Sequence, residues 1–168
     1  MSAVTERSKL ALVVSGGQSG VDRAALDAAL QLGIPCGGWC PRGRRAEDGP
    51  IPDRYALRET EEDAYEVRTE RNVCDSDATL ILACSPLHGG TLLTADLARR
   101  HAKPCLVLDP QRELTPARAL NWLIQHQVRV LNVAGPRETS HPSIYPEARR
   151  WLLSLFRACH ATHRGHLS

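Results

Sequence analysis

Two glycine-rich loops are the parts of the sequence best suited to bind an anion. The first is SGGQSGVD, residues 15–22, and the second is SPLHGGT, residues 85–91. Each loop follows an apolar run and precedes a helical pattern, so peptide amides at the start of the helix point outward, where the helix dipole favours an anion. Glycine also lets the backbone come close to a ligand. The residues expected to bind the ligand are Gly16, Gly17, Gln18, Ser19, Gly20, Asp22, Gly89, Gly90 and Thr91.

Side chains in the two loops add further binding groups. Gln18 and Ser19 bring hydrogen-bond donors to the first loop, and Thr91 can cap the second helix while donating its hydroxyl to a phosphate. Asp22 has two interpretations: a first-turn partner of the helix dipole, or an acceptor for a ribose or pterin-type donor. His88 suits a surface position as well as a ligand contact. The first loop has neither G-x-G-x-x-G nor P-loop spacing, so it identifies no particular nucleotide.

A long polar segment, residues 41–58, carries two further candidates, Arg42 and Arg44. Loops of this length inside a compact domain are usually functional or disordered. Arginines on such a loop can clamp an anionic ligand. The alternative is a solvated surface loop.

Three more candidates are Thr69, Asn72 and Ser85. Ser85 opens the second glycine-rich loop. Thr69 and Asn72 precede the third apolar run and line the cleft if their segment folds over it; the alternative is a helix followed by an Asx-rich turn. Asp75 and Asp77 form either a carboxylate pair or an ordinary turn at the entry to a strand.

The known catalytic and metal-binding motifs are missing from the sequence. It contains no G-x-S-x-G elbow, no H-E-x-x-H and no zinc-spaced set of cysteine and histidine. The spacing of Cys36 and Cys40, C-x-x-x-C, is a poor match to C-x-x-C motifs. Cys84 and Cys105 adjoin apolar runs, where cysteine acts as a small hydrophobe. The residues therefore indicate ligand binding without a metal site, and the catalytic residues of any reaction are unknown.

Composition limits the classes of function. The chain has 168 residues, enough for one domain with a full core, and a formal net charge of +2, too small to favour nucleic acid as a partner. No apolar run approaches the ~20 residues of a membrane span, and the N-terminus lacks the apolar stretch of a secretory signal. We therefore expect a single cytoplasmic domain over residues 1–168, without a membrane or nucleic-acid partner.

Apolar runs alternate with helical patterns along the chain. Strands are predicted at residues 10–14, 34–39, 78–83, 105–108 and 128–133, and helices at 21–32, 91–101, 116–127 and 145–159. Strands covered on both faces are continuously apolar, as these are. The pattern predicts a Rossmann-like, three-layer α/β fold with a mainly parallel five-stranded sheet. A disordered tail is expected from about residue 160.

The expected strand order in this sheet is 2-1-3-4-5. That order creates a switch point between the first and third strands, and ligands bind at the carboxyl ends of strands beside such a point. Both glycine-rich loops leave those two strands. We therefore expect amides from both turns to converge on one anion.

Four segments, taken in order, resemble the molybdenum-cofactor carrier proteins: SGGQSGVDRAALDAAL, GWCPRGRRAEDGPIPDRYALRET, TERNVCDSDATLIL and SPLHGGTLLT. That group is also described as a circularly permuted YpsA-like branch of a Rossmann-like nucleotide-binding superfamily, which contains the LOG phosphoribohydrolases and the DNA-processing protein A. The resemblance implies a Rossmann-like fold and binding of molybdenum cofactor (molybdopterin) or a nucleotide. It also implies ligand contacts by the loop residues named above, and assembly into a homodimer or homotetramer.

The second loop departs from the related phosphoribohydrolases at one position. Those enzymes carry P-G-G-x-G-T-x-x-E, whose glutamate takes part in cleaving the N-glycosidic bond. Thr94 stands where that glutamate would be, and a hydroxyl cannot act as an acid or base at neutral pH as a carboxylate does. The departure weakens an enzymatic interpretation and leaves the phosphate-binding turn intact.

Three functions are compatible with these residues. The first is a carrier or binding protein for molybdenum cofactor or another phosphorylated pterin or nucleotide. The second is a nucleoside-monophosphate glycosidase, in which Asp22, Asp48 or Asp53 supplies the acid or base. The third is a nucleotide-sensing module without chemistry.

Overall fold

Short strands alternate with helices along the chain. A computed structural model describes residues 9–161. The elements, in chain order, are β1 (Leu12–Val14), α1 (Val21–Gln31), β2 (Cys36–Gly37), β3 (Trp39–Cys40), β4 (Arg45–Ala46), β5 (Gly49–Pro50), β6 (Arg58–Glu59), α2 (Tyr65–Cys74), β7 (Ala78–Leu82), α3 (Gly89–Arg100), β8 (Cys105–Leu108), α4 (Ala117–Gln125), β9 (Val130–Ala134) and α5 (Ile144–His160). Between residues 9 and 161 no helix is long and apolar enough to cross a membrane. Most of the predicted tail lies outside the described residues, and α5 continues through His160.

Five parallel strands form the central sheet in the order β2-β1-β9-β7-β8. The expected order was wrong at one place, because the last strand, β9, lies between β1 and β7. Val13 of β1 is opposite Leu131 of β9, and Leu80 of β7 is opposite Val133. The loops that leave β1 and β7 are therefore separated by the loop that leaves β9.

Polar contacts between residues far apart in the sequence hold β9 in the centre of the sheet. Asn132 Nδ2 donates to the hydroxyl of Thr79 at 3.2 Å, and both residues are buried. The Asp77 carboxylate accepts hydrogen bonds from the amides of Arg129 and Val130, at 2.9 and 2.8 Å. Asp77 is thus a strand-entry turn residue that aligns β9 with β7, and local sequence patterns do not reveal such a pairing.

Helices cover both faces of the sheet. Leu80 and Leu131 belong to the largest core, where they pack with apolar residues of α1, α4 and α5. Thr79 faces the other side because successive side chains alternate along a strand. Its neighbour in the register, Cys105, packs with the buried residues that α2 and α3 share. The three layers confirm the predicted α/β class with a parallel five-stranded sheet.

The second predicted strand is broken at Gly38. This glycine has φ +128°, and a Cβ at that position would lie 2.4 Å from the Ser15 carbonyl oxygen. L-residues rarely adopt such a φ, so the backbone turns away from the sheet here. β2 therefore ends at Gly37, and β3 pairs with β6 in a separate two-stranded sheet.

Residues 41–58 form a folded segment on α1. The side chain of Arg44 organises it from within: its guanidinium donates to the carbonyls of Ile51, Pro52 and Tyr55 at 3.0, 2.9 and 2.8 Å. Ile51 and Tyr55 are buried in a small core shared with α1. The expectation of a long polar loop was therefore only partly right, since β4 and β5 lie within this segment and β6 begins at its last residue.

Candidate functional site

A cavity of about 820 Å³ lies at the carboxyl ends of β7 and β9. Its walls come from the second glycine-rich loop, the first turns of α2 and the loop between β9 and α5, with two side chains from the first glycine-rich loop. This volume falls within the range of about 300–1,000 Å³ that small-molecule sites occupy. The position is also the expected one, because ligands of open α/β sheets bind outside the carboxyl ends of the strands.

The second glycine-rich loop borders the cavity at the point where α3 begins. Gly89, Gly90 and Thr91 line the cavity, and α3 begins at Gly89. The first helical hydrogen bonds are donated by Thr91 and Leu92 to the His88 carbonyl. The amides of Gly89 and Gly90 come before the first of these helical bonds. The first turn of α3 contains no acidic residue. This turn can hold an anion such as phosphate because the positive end of the helix dipole is not neutralised there.

The glycines of the first loop allow other parts of the protein to approach closely. A Cβ on Gly16 would lie 1.7 Å from Nη1 of Arg68. A Cβ on Gly17, which has φ +76°, would lie 2.6 Å from Cδ1 of Leu57. Neither glycine belongs to the lining of the 820 Å³ cavity. Side chains of α2 and of the folded segment therefore cover these glycines.

Gln18 and Asp22 are the residues of the first loop that line the cavity. The loop's amides are turned inward: the amide of Gln18 donates to Asp22 Oδ2 at 3.3 Å, and that of Ser19 to Gln18 Oε1 at 3.1 Å. Ser19 and Gly20 line a second cavity, of about 600 Å³. The structure thus differs from the expected convergence of both sets of amides, because the loop's own side chains accept the hydrogen bonds of these two amides.

Asp22 forms a buried ion pair with Arg68. Arg68 Nη1 lies 3.2 Å from Asp22 Oδ2, and the two side chains are 14% and 5% exposed. Burial raises the pKa of the Asp22 carboxyl, while the guanidinium of Arg68 and the amide of Gln18 oppose that change. The carboxyl therefore keeps its proton to a higher pH than a solvated aspartate, at a position that lines the cavity.

Arg68 was missed at the sequence level because α2 was not among the predicted helices. Residues 69–77 were open to either a cleft segment or a helix with a following turn; α2 forms there, and its Thr69 also lines the cavity. Tyr65, Arg68 and Thr69 all line the cavity, and their spacing of i, i+3 and i+4 places them on one helical face. This polar spacing is the signal in the sequence that indicates the helix, because apolar periodicity is weak there.

The loop after β9 contributes a third wall that sequence analysis also missed. Gly135 and Arg137 line the cavity. Glu47 connects this loop to the first glycine-rich loop. Its carboxylate accepts hydrogen bonds from the hydroxyls of Ser19 and Thr139, and its Oε2 lies 3.8 Å from Arg137 Nε. Burial opposes ionisation of Glu47, but the two hydroxyl bonds, the amide of Thr139 and the charge of Arg137 together outweigh it and lower the pKa of its carboxyl. The wall is therefore fixed by contacts between three distant segments.

The remaining polar candidates divide into lining and structural residues. Thr69 and Ser85 line the cavity. Asn72 instead holds β3: its Oδ1 accepts from the amide of Trp39 at 2.8 Å and its Nδ2 donates to the carbonyl of the same residue at 3.0 Å. Asp75 accepts from the Trp39 indole at 2.8 Å. Asp75 and Asp77 are therefore engaged separately and do not act as a carboxylate pair.

The charged candidates of residues 41–58 lie away from the cavity lining. Arg42 is exposed, and Arg44 is bonded to carbonyls of its own segment. Asp48 pairs with Arg23 at 3.1 Å, and the side chain of Asp53 is fully exposed. Within residues 9–161 no group of three or more His, Cys, Asp or Glu side chains is arranged to hold a metal ion.

Three guanidinium groups surround the ring of Tyr65 at the cavity. Those of Arg45, Arg68 and Arg137 lie 5.6, 6.0 and 5.8 Å from the ring centroid, within reach of cation–π attraction. Tyr65, Arg68 and Arg137 are themselves lining residues. The cavity therefore combines an aromatic face, positive charge and a helix N-terminus, a set of groups suited to an anionic ligand with a planar ring.

Comparisons with known proteins agree with this architecture. The model of the circularly permutated YpsA SLOG family matches residues 13–156. A crystal structure from Syntrophus aciditrophicus SB, of a protein described as "putative molybdenum carrier protein", is similar, with a TM-score of 0.85 and 43% sequence identity. The match covers 92% of this chain and 99% of that one. No curated protein matches. These matches confirm the Rossmann-like fold and the resemblance found in the sequence.

Proposed function

The chain belongs to the circularly permuted YpsA SLOG family, and we propose that it binds a phosphorylated pterin- or nucleotide-like molecule. Molybdenum cofactor is the first candidate, because the similar solved protein, 43% identical, is named for carrying molybdenum. The observation that supports the proposal most directly is the cavity of about 820 Å³, whose lining includes both the Gly89–Gly90 turn and the side chains of Arg68 and Arg137.

The ligand's phosphate binds at the start of α3. The amides of Gly89 and Gly90 precede the first helical hydrogen bonds, and the helix dipole attracts negative charge to this position. Thr91 lies beside them in the lining, and its hydroxyl can donate to a phosphate oxygen. Arg137 adds a positive charge to the same cavity.

The ligand's ring binds along α2. Tyr65 offers an aromatic face, and an aromatic side chain stacks on a planar heterocycle whatever its substituents. Gln18, Asp22 and Arg68 supply polar groups in the same cavity, in line with sites that hold a few fixed polar groups among other contacts. A phosphorylated pterin or nucleotide carries both parts that this cavity recognises, and molybdenum cofactor would be held by these residues through its pterin and phosphate.

Isothermal titration tests the proposal directly. Purified protein is titrated anaerobically with molybdenum cofactor, GMP, AMP and inorganic phosphate. We expect at least one phosphorylated compound to bind at one molecule per chain, with inorganic phosphate competing. If none of the four binds to protein whose circular dichroism shows it to be folded, the proposal is wrong.

A pair of substitutions at Gly90 locates the phosphate. A Cβ at Gly90 meets nothing within 4 Å, so a side chain can leave the backbone there without an immediate clash. Gly90→Glu adds a carboxylate beside the proposed phosphate, and we expect affinity to fall about 10- to 100-fold through like-charge repulsion. Gly90→Ala is the matched control for the added side chain, and we expect it to lose less affinity than Gly90→Glu. Equal affinity of the two variants would show that the phosphate binds elsewhere.

A nucleoside-monophosphate glycosidase is the second candidate, and Asp22 is the residue that favours it. Burial raises the pKa of Asp22 and the residue lines the cavity, so a carboxyl able to exchange a proton faces the ligand. Asp48 and Asp53 lie outside the lining and do not compete for this role. Thr94 does line the cavity, but its hydroxyl donates to the Gly90 carbonyl at 2.8 Å.

Release of free base from nucleoside monophosphates decides between the two functions. A glycosidase releases base from at least one of AMP, GMP, CMP and UMP, and Asp22→Asn lowers the rate about 100-fold or more, as loss of a general acid or base does. If titration shows that the protein binds a nucleotide but no free base is released from it, the result favours a binding protein over a glycosidase.

We also propose that the protein assembles as a homodimer or homotetramer, which rests on the family resemblance. Size-exclusion chromatography with light scattering measures the mass directly, against 18.5 kDa for one chain. A monomer at all concentrations contradicts this proposal and leaves the ligand proposal unaffected.

A further inference from the structure

Two buried hydrogen-bond donors at the cavity have no partner among the described residues. They are Nε2 of Gln18 and Nε of Arg68. Gln18 is 5% exposed and the Arg68 side chain 14%, and both residues line the 820 Å³ cavity. A buried donor without an acceptor is costly, and native proteins seldom keep one without a reason.

The orientation of the Gln18 amide group is fixed by its other end. Gln18 Oε1 accepts hydrogen bonds from the backbone amides of Ser19 and Glu47, at 3.1 and 2.8 Å. The reverse orientation would place the side-chain NH₂ against two N–H donors, so it is excluded. Nε2 is therefore the free end of the group.

Gln18 and Arg68 are joined through the carboxylate of Asp22, which also lines the cavity. The backbone amide of Gln18 and Nη1 of Arg68 both donate to Asp22 Oδ2, at 3.3 and 3.2 Å. Arg68 Nη1 also lies directly over Gly16, where a Cβ would be 1.7 Å away. The shared carboxylate oxygen holds the guanidinium beside the first glycine-rich loop, and this leaves the Arg68 Nε without an acceptor.

We propose that this group, formed by Gln18, Asp22 and Arg68, selects a ring edge with two adjacent acceptors. The proposal rests on the proposed function and names the class of ligand for the same cavity. A carbonyl oxygen beside an unprotonated ring nitrogen, as at the O6–N7 edge of 6-oxopurines and the O4–N5 edge of oxidised pterins, supplies an acceptor to each donor after a small side-chain shift. A 6-aminopurine presents an N–H group to these donors at the carbonyl position, and this leaves a buried donor unpaired.

Nucleotide pairs that differ at this edge test the selection on unmodified protein. IMP and AMP carry the same ribose and phosphate but differ in the 6-oxo and 6-amino groups, and 7-deaza-GMP lacks the ring nitrogen that GMP keeps. By titration calorimetry we expect IMP and GMP to bind about 10- to 100-fold more tightly than AMP, the discrimination typical of a two-bond ring contact. We expect 7-deaza-GMP to bind more weakly than GMP.

A substitution assigns the selection to Gln18. Gln18→Glu keeps an acceptor for the amides of Ser19 and Glu47 but replaces the free donor with an oxygen. We expect the IMP-to-AMP affinity ratio to fall toward one. Gln31→Glu, on the exposed end of α1 where the glutamine accepts from Arg149, is the matched control and keeps the ratio.

The outcomes separate this inference from the proposed function. If inorganic phosphate binds and IMP, GMP and AMP bind with equal affinity, or AMP binds best, the selection is wrong while phosphate binding stands. If no phosphorylated compound binds, the proposed function is wrong and the selection is overturned with it. A wild-type preference for IMP that Gln18→Glu leaves unchanged overturns the role of Gln18.

Discussion

Arg68 and Asp22 lie 46 positions apart in the sequence and meet at 3.2 Å in the wall of the cavity. The pair joins α2 to the first glycine-rich loop and explains why position 16 is glycine, since any Cβ there would collide with the guanidinium. It also gives the cavity a carboxyl whose pKa is raised by burial. Much of the site's chemistry therefore depends on a contact between two helices.

Asp22→Asn is expected to change how stability depends on pH. Because burial raises the pKa of Asp22 in the folded protein, the folded state holds this proton more tightly than the unfolded state does. The contribution of Asp22 is therefore greatest below its ordinary pKa of 3.8 and falls as the pH rises through the raised value. Urea unfolding of both proteins between about pH 3 and 8 measures the difference.

The variant lacks this titration, so the wild type should lose stability relative to Asp22→Asn over that interval and then run parallel to it. The opposite trend, in which the wild type gains stability as the pH rises, would show that the charge of Arg68 dominates over burial.

Gly135→Ala is expected to destabilise the fold by about 1–3 kcal/mol, the usual cost of overpacking. A Cβ at Gly135 would lie 2.5 Å from the Leu82 carbonyl oxygen and 2.6 Å from Val21 Cγ2, and backbone cannot move aside as a flexible side chain can. Gly90→Ala is the control, because a Cβ there meets nothing within 4 Å. Thermal unfolding should separate the two variants; similar midpoints would mean that the β9 loop adapts without strain.

Arg44→Lys is expected to loosen the segment of residues 41–58 and to lower the free energy of unfolding by about 2 kcal/mol. Lysine cannot reproduce the guanidinium fork that donates to the carbonyls of Ile51, Pro52 and Tyr55. Arg42→Lys, at an exposed position of the same segment, should be neutral. Limited proteolysis followed by mass spectrometry should detect faster cleavage in this segment for Arg44→Lys alone.

Tyr145→Phe is expected to reduce the loss of stability in alkali. Burial and then the hydrogen bond to Asp27 raise the pKa of Tyr145 to about 12, and Tyr55, which donates to the same carboxylate, has its pKa raised to about 12 as well. A raised pKa gives stability that is complete below the ordinary value of 10.0 and lost between pH 10 and about 12.

Urea unfolding at several pH values from 8 to about 11.5 tests this, with the absorbance of tyrosinate near 295 nm as a second measure. Tyr65→Phe, which removes a hydroxyl that does not contact Asp27, is the control. Equal alkaline losses in wild type and Tyr145→Phe would contradict the role of the Asp27 hydrogen bond.

The elements of the fold were predictable because their patterns are local. Continuous apolar runs identified the five strands of the central sheet, and apolar spacing identified α1, α4 and α5 within a few residues. The break at Gly38 was not predictable, since it depends on the approach of Ser15 from another segment. For the same reason, no local pattern indicates that Arg44 folds residues 41–58 from within.

The candidate site was predictable in part. The turn at Gly89–Gly90 was found from its glycines and its place between a strand and a helix, and it lines the cavity. Gln18 and Asp22, predicted as ligand-binding residues, both line the cavity, although the amides of Gln18 and Ser19 donate to side chains of their own loop. Arg68 and Arg137 were missed, since each becomes part of the site only through packing of distant elements.

By itself the sequence determined the α/β class, the strands of the central sheet and the glycine turn at the start of α3, because hydrophobic period, glycine freedom and helix dipoles act over a few neighbouring residues. Only the tertiary structure decided the position of β9, the partner of Asp22 and the residues that share the cavity. Those depend on contacts such as Asn132 with Thr79 and Arg68 with Asp22, which span 53 and 46 positions and depend on how whole elements pack.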